Sequence, residues 1–183
     1  MKKFAPPDHW AEPVRRFDRA AERHFGRLRG HPVVDRVMYG ASELGDFGLV
    51  WHLVGAVQAF RSDRDFVRAV RLSAVLGVES VIVNGGVKSL FQRSRPVHEG
   101  ERPHRLRQPL TSSFPSGHAS AAACAAVLLA DDDPLSPLWV AMAVVVGTSR
   151  AHVRIHHPSD VVAGAAIGTA IGLVARRLWP LPG

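Results

Sequence analysis

The sequence predicts an all-α bundle of about five to six helices, and three observations support this. Five largely uncharged apolar stretches recur along the 183-residue chain. Clusters of Gly, Pro, Ser and Asp separate these stretches, as turns do between helices. No segment shows the apolar and polar alternation that is typical of a strand. A chain of this length suits a single domain.

The apolar stretches cover residues 47–60, 72–87 with Glu79 inside, 117–130, 134–149 and 161–175. Most are shorter than the roughly 20 residues that cross a bilayer core, although flanking Arg and Lys stems can lengthen a crossing. The last stretch carries glycines every four residues, at 164, 168 and 172, which let a second helix approach closely. With a mean hydropathy of +0.03, hydropathy alone leaves open both a membrane bundle and a soluble α domain.

Residues 1–36 form a separate amphipathic N-terminal segment, and residues 37–183 form the main domain. Apolar residues recur in this segment at three- and four-residue steps, the helical period: Val14, Phe17, Ala21, Phe25 and Leu28. Between them the segment is rich in Arg, so the predicted helix lies on a surface. The segment has neither the apolar stretch nor the small-residue cleavage site of a signal peptide, and we expect no export by cleavage.

The net charge and the composition limit the classes of binding partner that this chain can have. Lys and Arg number 23 against 16 Asp and Glu, a formal charge of +7, which predicts an anionic partner such as phosphate, nucleic acid or an acidic lipid surface. No motif supports nucleic-acid binding. The single cysteine excludes a disulfide framework, and 46% hydrophobic residues exclude a disordered chain.

Three segments carry residues suited to phosphate chemistry. In the first, Lys88 and Arg95 are seven residues apart, which is two helical turns, so both cations fall near one face if the helix runs that far. Pro96 favours an extended Arg95 and ends the helix there. On its own this pair is more typical of a solvated helix terminus than of a functional site.

The second segment runs from Ser113 to His118 and opens an apolar helix. The first amides of that helix lack intrahelical partners and bind phosphate oxygens well. Ser116 adds a hydroxyl, and Gly117 removes a side chain that keeps an oxyanion from the backbone. His118 beside such a cradle can donate a proton to a departing oxygen. The alternative is an ordinary helix cap with a surface histidine.

The third segment runs from Ser149 to Asp160. Arg150 supplies a planar, permanently charged fork for phosphate oxygens. His156 and Asp160 are four residues apart near the start of a helix, so the carboxylate can orient the imidazole and leave its other nitrogen for the substrate. A buried polar contact, or pairing through His157, is the alternative. A metal site is disfavoured because neither an HExxH motif nor a cysteine cluster is present.

Together the three segments resemble the type 2 phosphatidic acid phosphatase family, or lipid phosphate phosphatases, whose site is similar to that of vanadium haloperoxidases and bacterial class A acid phosphatases. The family pattern is Lys, six residues, Arg-Pro; then Pro-Ser-Gly-His; then Ser-Arg, five residues, His, three residues, Asp. The chain has every position of this pattern between residues 88 and 160.

The resemblance implies a phosphatase that uses neither metal nor other cofactor and forms a phosphohistidine. His156 is then the nucleophile, Asp160 orients it, and His118 protonates the leaving alkoxide and later activates water. The phosphate oxygens are held by Lys88, Arg95, Ser116, Gly117 and Arg150. The competing functions are a non-catalytic lipid-phosphate-binding membrane protein, a non-specific acid phosphatase and a vanadate-dependent oxidase.

The resemblance also implies a multi-pass protein of the cell membrane that acts on a lipid phosphate. Phosphatidic acid, a polyprenyl phosphate or diphosphate, and a prenyl-linked sugar phosphate fit equally, and the oligomeric state stays open. We expect five membrane helices, because residues 31–45 are too polar for a clear crossing. Arg residues crowd the catalytic side, which favours a cytoplasmic site.

Several polar residues keep two interpretations. Glu79, His52 and Asn84 lie within apolar stretches and are either functional or simple interhelical hydrogen-bonding groups. Basic residues of the 97–114 loop contact either a substrate head group or an anionic surface. The run Asp131 to Asp133 is expected to be a solvated acidic turn.

Overall fold

The structure is a computed structural model that describes residues 8–98, 106–107 and 110–182. Within them about three quarters of the residues are helical and no strand is present, which confirms the all-α prediction, and the seven helices slightly exceed the predicted number. The helices are α1 (Asp8–Leu28), α2 (Pro32–Leu44), α3 (Leu49–Gln58), α4 (Asp63–Ser80) with its continuation α5 (Lys88–Leu90), α6 (Gly117–Leu129), α7 (Ser136–His152) and α8 (Pro158–Leu178).

The boundary between α1 and α2 lies where the sequence predicts a break. Gly30 has a φ of 87°, in the left-handed region that glycine adopts without penalty, and Pro32 begins α2. Helix α1 leaves Val14 and Phe17 exposed and packs against α7 and α8. The apolar side chains of this amphipathic helix are therefore only partly used inside the protein.

Helix α4 begins at an N-cap, where the Ser62 hydroxyl accepts a hydrogen bond from the Asp65 amide at 3.1 Å. It continues through a π-helical segment, Val81–Val87, into α5. Val83 and Lys88, five residues apart, are both buried, whereas α-helical neighbours on one face are three or four apart. The π-helical segment absorbs the extra residue and turns Lys88 inward.

The glycine spacing of α8 produces the close helix contact predicted for it. A Cβ on Gly164 would come 2.3 Å from the Ser116 carbonyl oxygen, and one on Gly168 would come 1.9 Å from that of Ser120. Both distances are too short for a side chain, so only glycine fits. Helix α8 therefore lies directly against the backbone of α6 and sets the N-terminus of α6 beside its own.

The core lies around α6, where Trp51, Leu72, Leu128 and Leu129 are fully buried. The outer surface of the bundle, in contrast, exposes large apolar side chains from α3, α4, α7 and α8. They include Val57, Phe66, Val70, Val78, Val81, Val140, Val144, Val162, Leu173 and Val174. An apolar surface of this extent is typical of a protein embedded in lipid.

The acidic turn between α6 and α7 is an ion-pair cluster, and the predicted solvated turn is wrong for most of it. Asp131 pairs with Arg71 and Arg176 at 2.7 Å each, and the Asp133 side chain is 1% exposed beside Arg68. Only Asp132 is largely exposed. The sequence pattern missed this because the arginines that neutralise the turn belong to α4 and α8.

Within the described residues, α8 alone is long and apolar enough to cross a membrane by itself. Five such helices were predicted. Helix α6 spans only 13 residues and α7 only 17, and α4 begins with three charged residues in its first four positions. Crossing by these helices depends on their flanks and on α4 running on through Val81–Val87 into α5.

Candidate active site

His156 lies between α7 and α8 and is 2% exposed. Its Nδ1 atom is 2.7 Å from the Ser113 carbonyl oxygen. Because a carbonyl only accepts hydrogen bonds, Nδ1 carries the proton and Nε2 presents a lone pair in the neutral ring. Nε2 accepts from the Arg95 guanidinium at 3.3 Å. The ring thus has an unprotonated nitrogen directed toward a cation.

The surroundings keep His156 neutral. Burial lowers the pKa of His156 to about 3, and the positive charges of Arg150 and Arg95 act in the same direction, while Asp160 opposes them. At neutral pH the imidazole is therefore uncharged, which is the form required of a nucleophile.

Asp160 is fully buried in the first turn of α8. It accepts hydrogen bonds from the Ser113 hydroxyl, the His157 amide and Arg93. Its nearest approach to His156 Nδ1 is 3.7 Å, longer than a hydrogen bond. The sequence predicts a direct bond between these two residues, but the Ser113 carbonyl takes that place, and Asp160 holds Ser113.

The cations reach the site by different routes. The helix that carries Lys88 ends at Leu90, and residues 92–98 have no regular secondary structure, so the predicted shared helical face is wrong. Arg95 instead donates to the Ile155 carbonyl oxygen at 2.9 Å, which brings its guanidinium next to His156. Lys88 and Arg150 are both buried, and Lys88 interacts electrostatically with Arg95, Arg150 and Asp160.

The N-terminus of α6 faces the same region. Ser116 is its N-cap, with its hydroxyl 3.4 Å from the Ala119 amide, and its own amide donates to the Asp160 carbonyl oxygen at 3.0 Å. A Cβ on Gly117 would come 2.7 Å from Asn84 Oδ1. A side chain at position 117 would therefore displace the amide of the exposed Asn84, a contact that the sequence does not reveal.

His118, the second residue of α6, is held by the end of α2. Its Nε2 atom is 3.2 Å from the Ser42 carbonyl oxygen and 3.1 Å from Asp46 Oδ1. Arg150 donates to the Ser42 hydroxyl and lies within electrostatic range of both His118 and His156. The structure therefore brings both imidazoles to one cluster of charge.

Sequence reasoning assigned no role to five residues of this arrangement: Asp18, Ser42, Asp46, Arg93 and Ser113. Asp18 in α1 accepts from Arg93 at 2.7 Å and from the Ser159 amide at 2.8 Å. The polarity of residues 31–45, which argued against a membrane crossing, was a usable signal for Ser42. Nothing in the spacing of the others indicates a role.

Two of the residues left ambiguous have ordinary hydrogen-bond partners. His52 Nδ1 is 3.0 Å from the Ser73 hydroxyl, an interhelical hydrogen bond, and Asn84 donates to the Ser80 hydroxyl at 3.2 Å. Glu79 is buried, and its Oε1 atom has no hydrogen-bond partner among the described residues. Of the 97–114 loop, Arg107 stacks over the Phe47 ring at 4.4 Å, whereas residues 99–105 lie outside the described ranges. Within those ranges no group of three or more His, Cys, Asp or Glu is placed to bind a metal ion.

Comparison with known proteins shows which family the chain belongs to. Residues 68–181 match the PAP2 superfamily, so the chain belongs to that superfamily, and it is a phosphatase of the PAP2 type. Over 138 residues it is 31% identical to the decaprenylphosphoryl-5-phosphoribose phosphatase of Mycobacterium tuberculosis, a match that covers 74% of this chain and 75% of the relative.

Two solved structures share the fold. Aquifex aeolicus LpxE superposes with a TM-score of 0.70 at 26% identity, covering 86% of this chain and 93% of that one. A transmembrane PAP2 type phosphatidylglycerolphosphate phosphatase from Bacillus subtilis gives a TM-score of 0.66 at 24% identity, covering 91% and 86%. The chain thus has the helical-bundle fold of the PAP2 type.

Proposed function

We propose that this protein hydrolyses a lipid phosphate monoester or diphosphate through a phosphohistidine on His156. One observation carries the proposal: the bond from Nδ1 to the Ser113 carbonyl leaves the Nε2 lone pair of a neutral, buried imidazole among cations. A phosphate bound to those cations places its phosphorus within reach of that lone pair.

In the first step, Nε2 of His156 attacks phosphorus in line with the bond to the leaving oxygen. The nitrogen to phosphorus bond forms as the phosphorus to oxygen bond breaks, and His118 donates a proton to the leaving alkoxide. In the second step, water attacks the phosphohistidine and gives a proton to His118. Inorganic phosphate leaves, and His156 regains its lone pair.

The remaining site residues stabilise the transferring phosphoryl group. Lys88, Arg95 and Arg150 neutralise its equatorial oxygens, which carry the charge of the transition state. The hydroxyl of Ser116 and the amide of Gly117 add hydrogen bonds at the N-terminus of α6. Three fixed cations supply the charge for which other phosphoryl-transfer enzymes use Mg²⁺, so the reaction is expected to proceed without metal.

A lipid is the proposed alcohol part of the substrate. The site lies at one end of a bundle whose flanks are apolar, and the relative from Mycobacterium tuberculosis is named for a decaprenyl-linked sugar phosphate. Residues 1–36, with α1, form a surface segment at the catalytic end, and residues 37–183 form the membrane-embedded domain.

We place the site on the cytoplasmic face. Helix α1 contributes exposed arginines to the catalytic end, including Arg23 and Arg27, whereas Arg68, Arg71 and Arg176 at the other end are paired with aspartates. Unpaired positive charge at one end favours its retention in the cytoplasm. Reagent labelling of single cysteines introduced in α1, in sealed cells, tests this orientation.

Phosphate release in detergent with EDTA present tests the function. The panel contains phosphatidic acid, a polyprenyl phosphate, a polyprenyl diphosphate, a prenyl-linked sugar phosphate and a water-soluble ester. We expect release from at least one lipid at a rate well above that from the soluble ester. Preference for the soluble ester would contradict the lipid assignment, and a requirement for added metal would contradict the proposed mechanism.

A further inference from the structure

The short turn after α2 is shaped around His118. It comprises residues 45–48 and precedes the region that matches the superfamily, which starts at residue 68. A Cβ on Gly45 would come 2.8 Å from His118 Cδ2, so glycine is needed for the ring to approach. Phe47 and Gly48 both have left-handed φ values, 56° and 69°, which reverse the chain immediately after Asp46.

Two acceptors from this region share one nitrogen of His118. They are the Ser42 carbonyl oxygen and Asp46 Oδ1, at 3.2 and 3.1 Å from Nε2. Since neither group can donate at neutral pH, Nε2 carries a proton. The ring has one other nitrogen, Nδ1, and that atom is therefore the one left to exchange a proton with a substrate.

The Asp46 carboxylate is charged in this setting. Burial alone favours its neutral form, but the hydrogen bond with His118 and the positive charges of Arg150 and Arg107 keep the pKa of Asp46 below its ordinary value. The charged groups that face the His118 ring and its partner are thus Asp46 from the turn, Arg150 from α7 and Arg107 from the 106–107 segment. Asp46 is the one anion among them.

We propose that Asp46 is a positioning residue that holds His118 through Nε2 and favours the protonated ring needed for proton donation. The inference rests on the proposed function and extends it beyond the residues of the family pattern. Burial most of all, and the positive charge of Arg150 as well, disfavour the protonated form of His118, and Asp46 acts against both.

The proton balance of the reaction is complete with these groups. In the first step the proton on Nδ1 passes to the leaving oxygen, and the bonding electron pair stays on Nδ1. His118 is then neutral, with its Nε2 proton still bonded to Asp46. In the second step Nδ1 takes a proton from the attacking water. Asp46 remains ionised throughout and exchanges no proton.

Replacement of Asp46 by Asn removes the charge but keeps a side-chain oxygen that can accept a hydrogen bond. A substrate with a poor leaving group needs the proton most, so the loss depends on the ester. We expect a fall in kcat of about 100-fold for an alkyl phosphate. For a nitrophenyl phosphate with an alkyl chain of the same length, whose leaving group departs without a proton, we expect a fall of less than about fivefold.

The pH profile provides a second measurement. Proton donation requires protonated His118, so the rate on the alkyl ester falls on the alkaline side. Loss of the neighbouring negative charge makes the ring lose its proton more readily, and this fall moves to lower pH by about one unit. Asp46→Glu restores the charge and is expected to recover part of the rate and the original profile.

Asp35→Asn is the matched control. Asp35 belongs to α2, the helix that precedes the turn, and lies 2.7 Å from Nε2 of a buried histidine, His152, which has no part in the proposed reaction. We expect this variant to preserve the alkyl to aryl rate ratio and the pH profile, whatever it does to the melting temperature.

The possible outcomes distinguish failure of the role proposed for Asp46 from failure of the proposed phosphatase function. If the wild-type protein is active and Asp46→Asn slows both esters equally with an unchanged pH profile, Asp46 has only a structural role and the inference is wrong. If the wild-type protein releases no phosphate from any ester, the proposed function and the role of Asp46 are both overturned.

Discussion

The orientation of His156 depends on a main-chain carbonyl. The Ser113 oxygen is 2.7 Å from Nδ1, whereas the Asp160 carboxylate is 3.7 Å away. A main-chain acceptor survives any side-chain substitution, so the ring keeps its tautomer when the carboxylate is altered. Asp160 orients the His156 ring indirectly, because its carboxylate accepts hydrogen bonds from the Ser113 hydroxyl and the His157 amide.

The two residues are therefore expected to differ in importance. His156→Ala removes the nucleophile and should lower phosphate release by at least about 10⁴-fold with lipid binding retained. Asp160→Asn should cost only about 10- to 100-fold, because Nδ1 still donates to Ser113. Phosphate release by both variants in the same detergent checks this. Equal losses would show that the carboxylate, not the carbonyl, holds the ring.

At the residue scale the spacing of the family pattern selects eight site residues, and their roles stay predictions. They are Lys88, Arg95, Ser116, Gly117, His118, Arg150, His156 and Asp160. Asp46 and Asp18 were not predictable, because each reaches the site from a distant segment and an aspartate without a motif is indistinguishable from a solvated one.

At the scale of elements, α1 is joined to the catalytic segment. Asp18 accepts from Arg93, and Arg93 in turn donates to Asp160. Glu22 pairs with Arg154 at 3.0 Å, and Arg154 precedes His156 by two residues. The amphipathic helix α1 therefore contacts two chain segments next to His156, one through Arg93 and the other through Arg154.

Asp18→Asn tests this connection. The substitution weakens the bond to Arg93, which then holds Asp160 less firmly, and we expect kcat to fall about 5- to 20-fold. Glu12→Gln is the control, because Glu12 pairs only with arginines of its own helix on an exposed face. An equal effect of the two variants would argue that α1 acts through general stability alone.

The π-helical segment leads us to expect opposite effects of a deletion and an insertion near Gly85. Val83 and Lys88 are five residues apart and both buried. Deletion of Gly85 reduces the spacing to four, which an ordinary α-helix places on one face, so Lys88 should still point inward and activity should stay within about tenfold of wild type. Insertion of one alanine after Gly85 increases the spacing to six and should abolish phosphate release.

Activity that survives the deletion but not the insertion would show that the segment serves to turn Lys88 inward. If the deletion is as harmful as the insertion, the segment has a role other than rotating Lys88. The helical period in the sequence gives no sign of the π-helical segment, since the pattern there is masked by a run of apolar residues that suits either geometry.

At the scale of the whole molecule, the two ends of the bundle differ. One end holds the site and its excess of positive charge, and the other holds the buried ion pairs of Asp131 and Asp133 with α4 and α8. The sequence predicted the helices, their breaks and the glycine contact well, because these follow from local composition. It did not predict the ion pairs, which depend on how distant helices are brought together.

Gly168 tests the packing on which the molecule depends. A methyl group there overlaps the Ser120 carbonyl oxygen, so Gly168→Ala should force α6 and α8 apart and destabilise the protein by about 3 kcal/mol. Thermal unfolding in detergent measures this. Gly26→Ala is the control, because a Cβ at Gly26 meets no atom within 4 Å; similar melting temperatures for the two variants would contradict the close contact.

The glycines of α8 also bear on catalysis. This helix carries Asp160 in its first turn and the glycine contacts along its length, and a slip of one turn along α6 would shift the carboxylate by about 5.4 Å. The Ser116 and Ser120 carbonyl oxygens lie against Gly164 and Gly168, where other residues would have a side chain. These contacts prevent that slip. The depth of Asp160, and with it of the proposed nucleophile His156, is thus set by glycines further along α8.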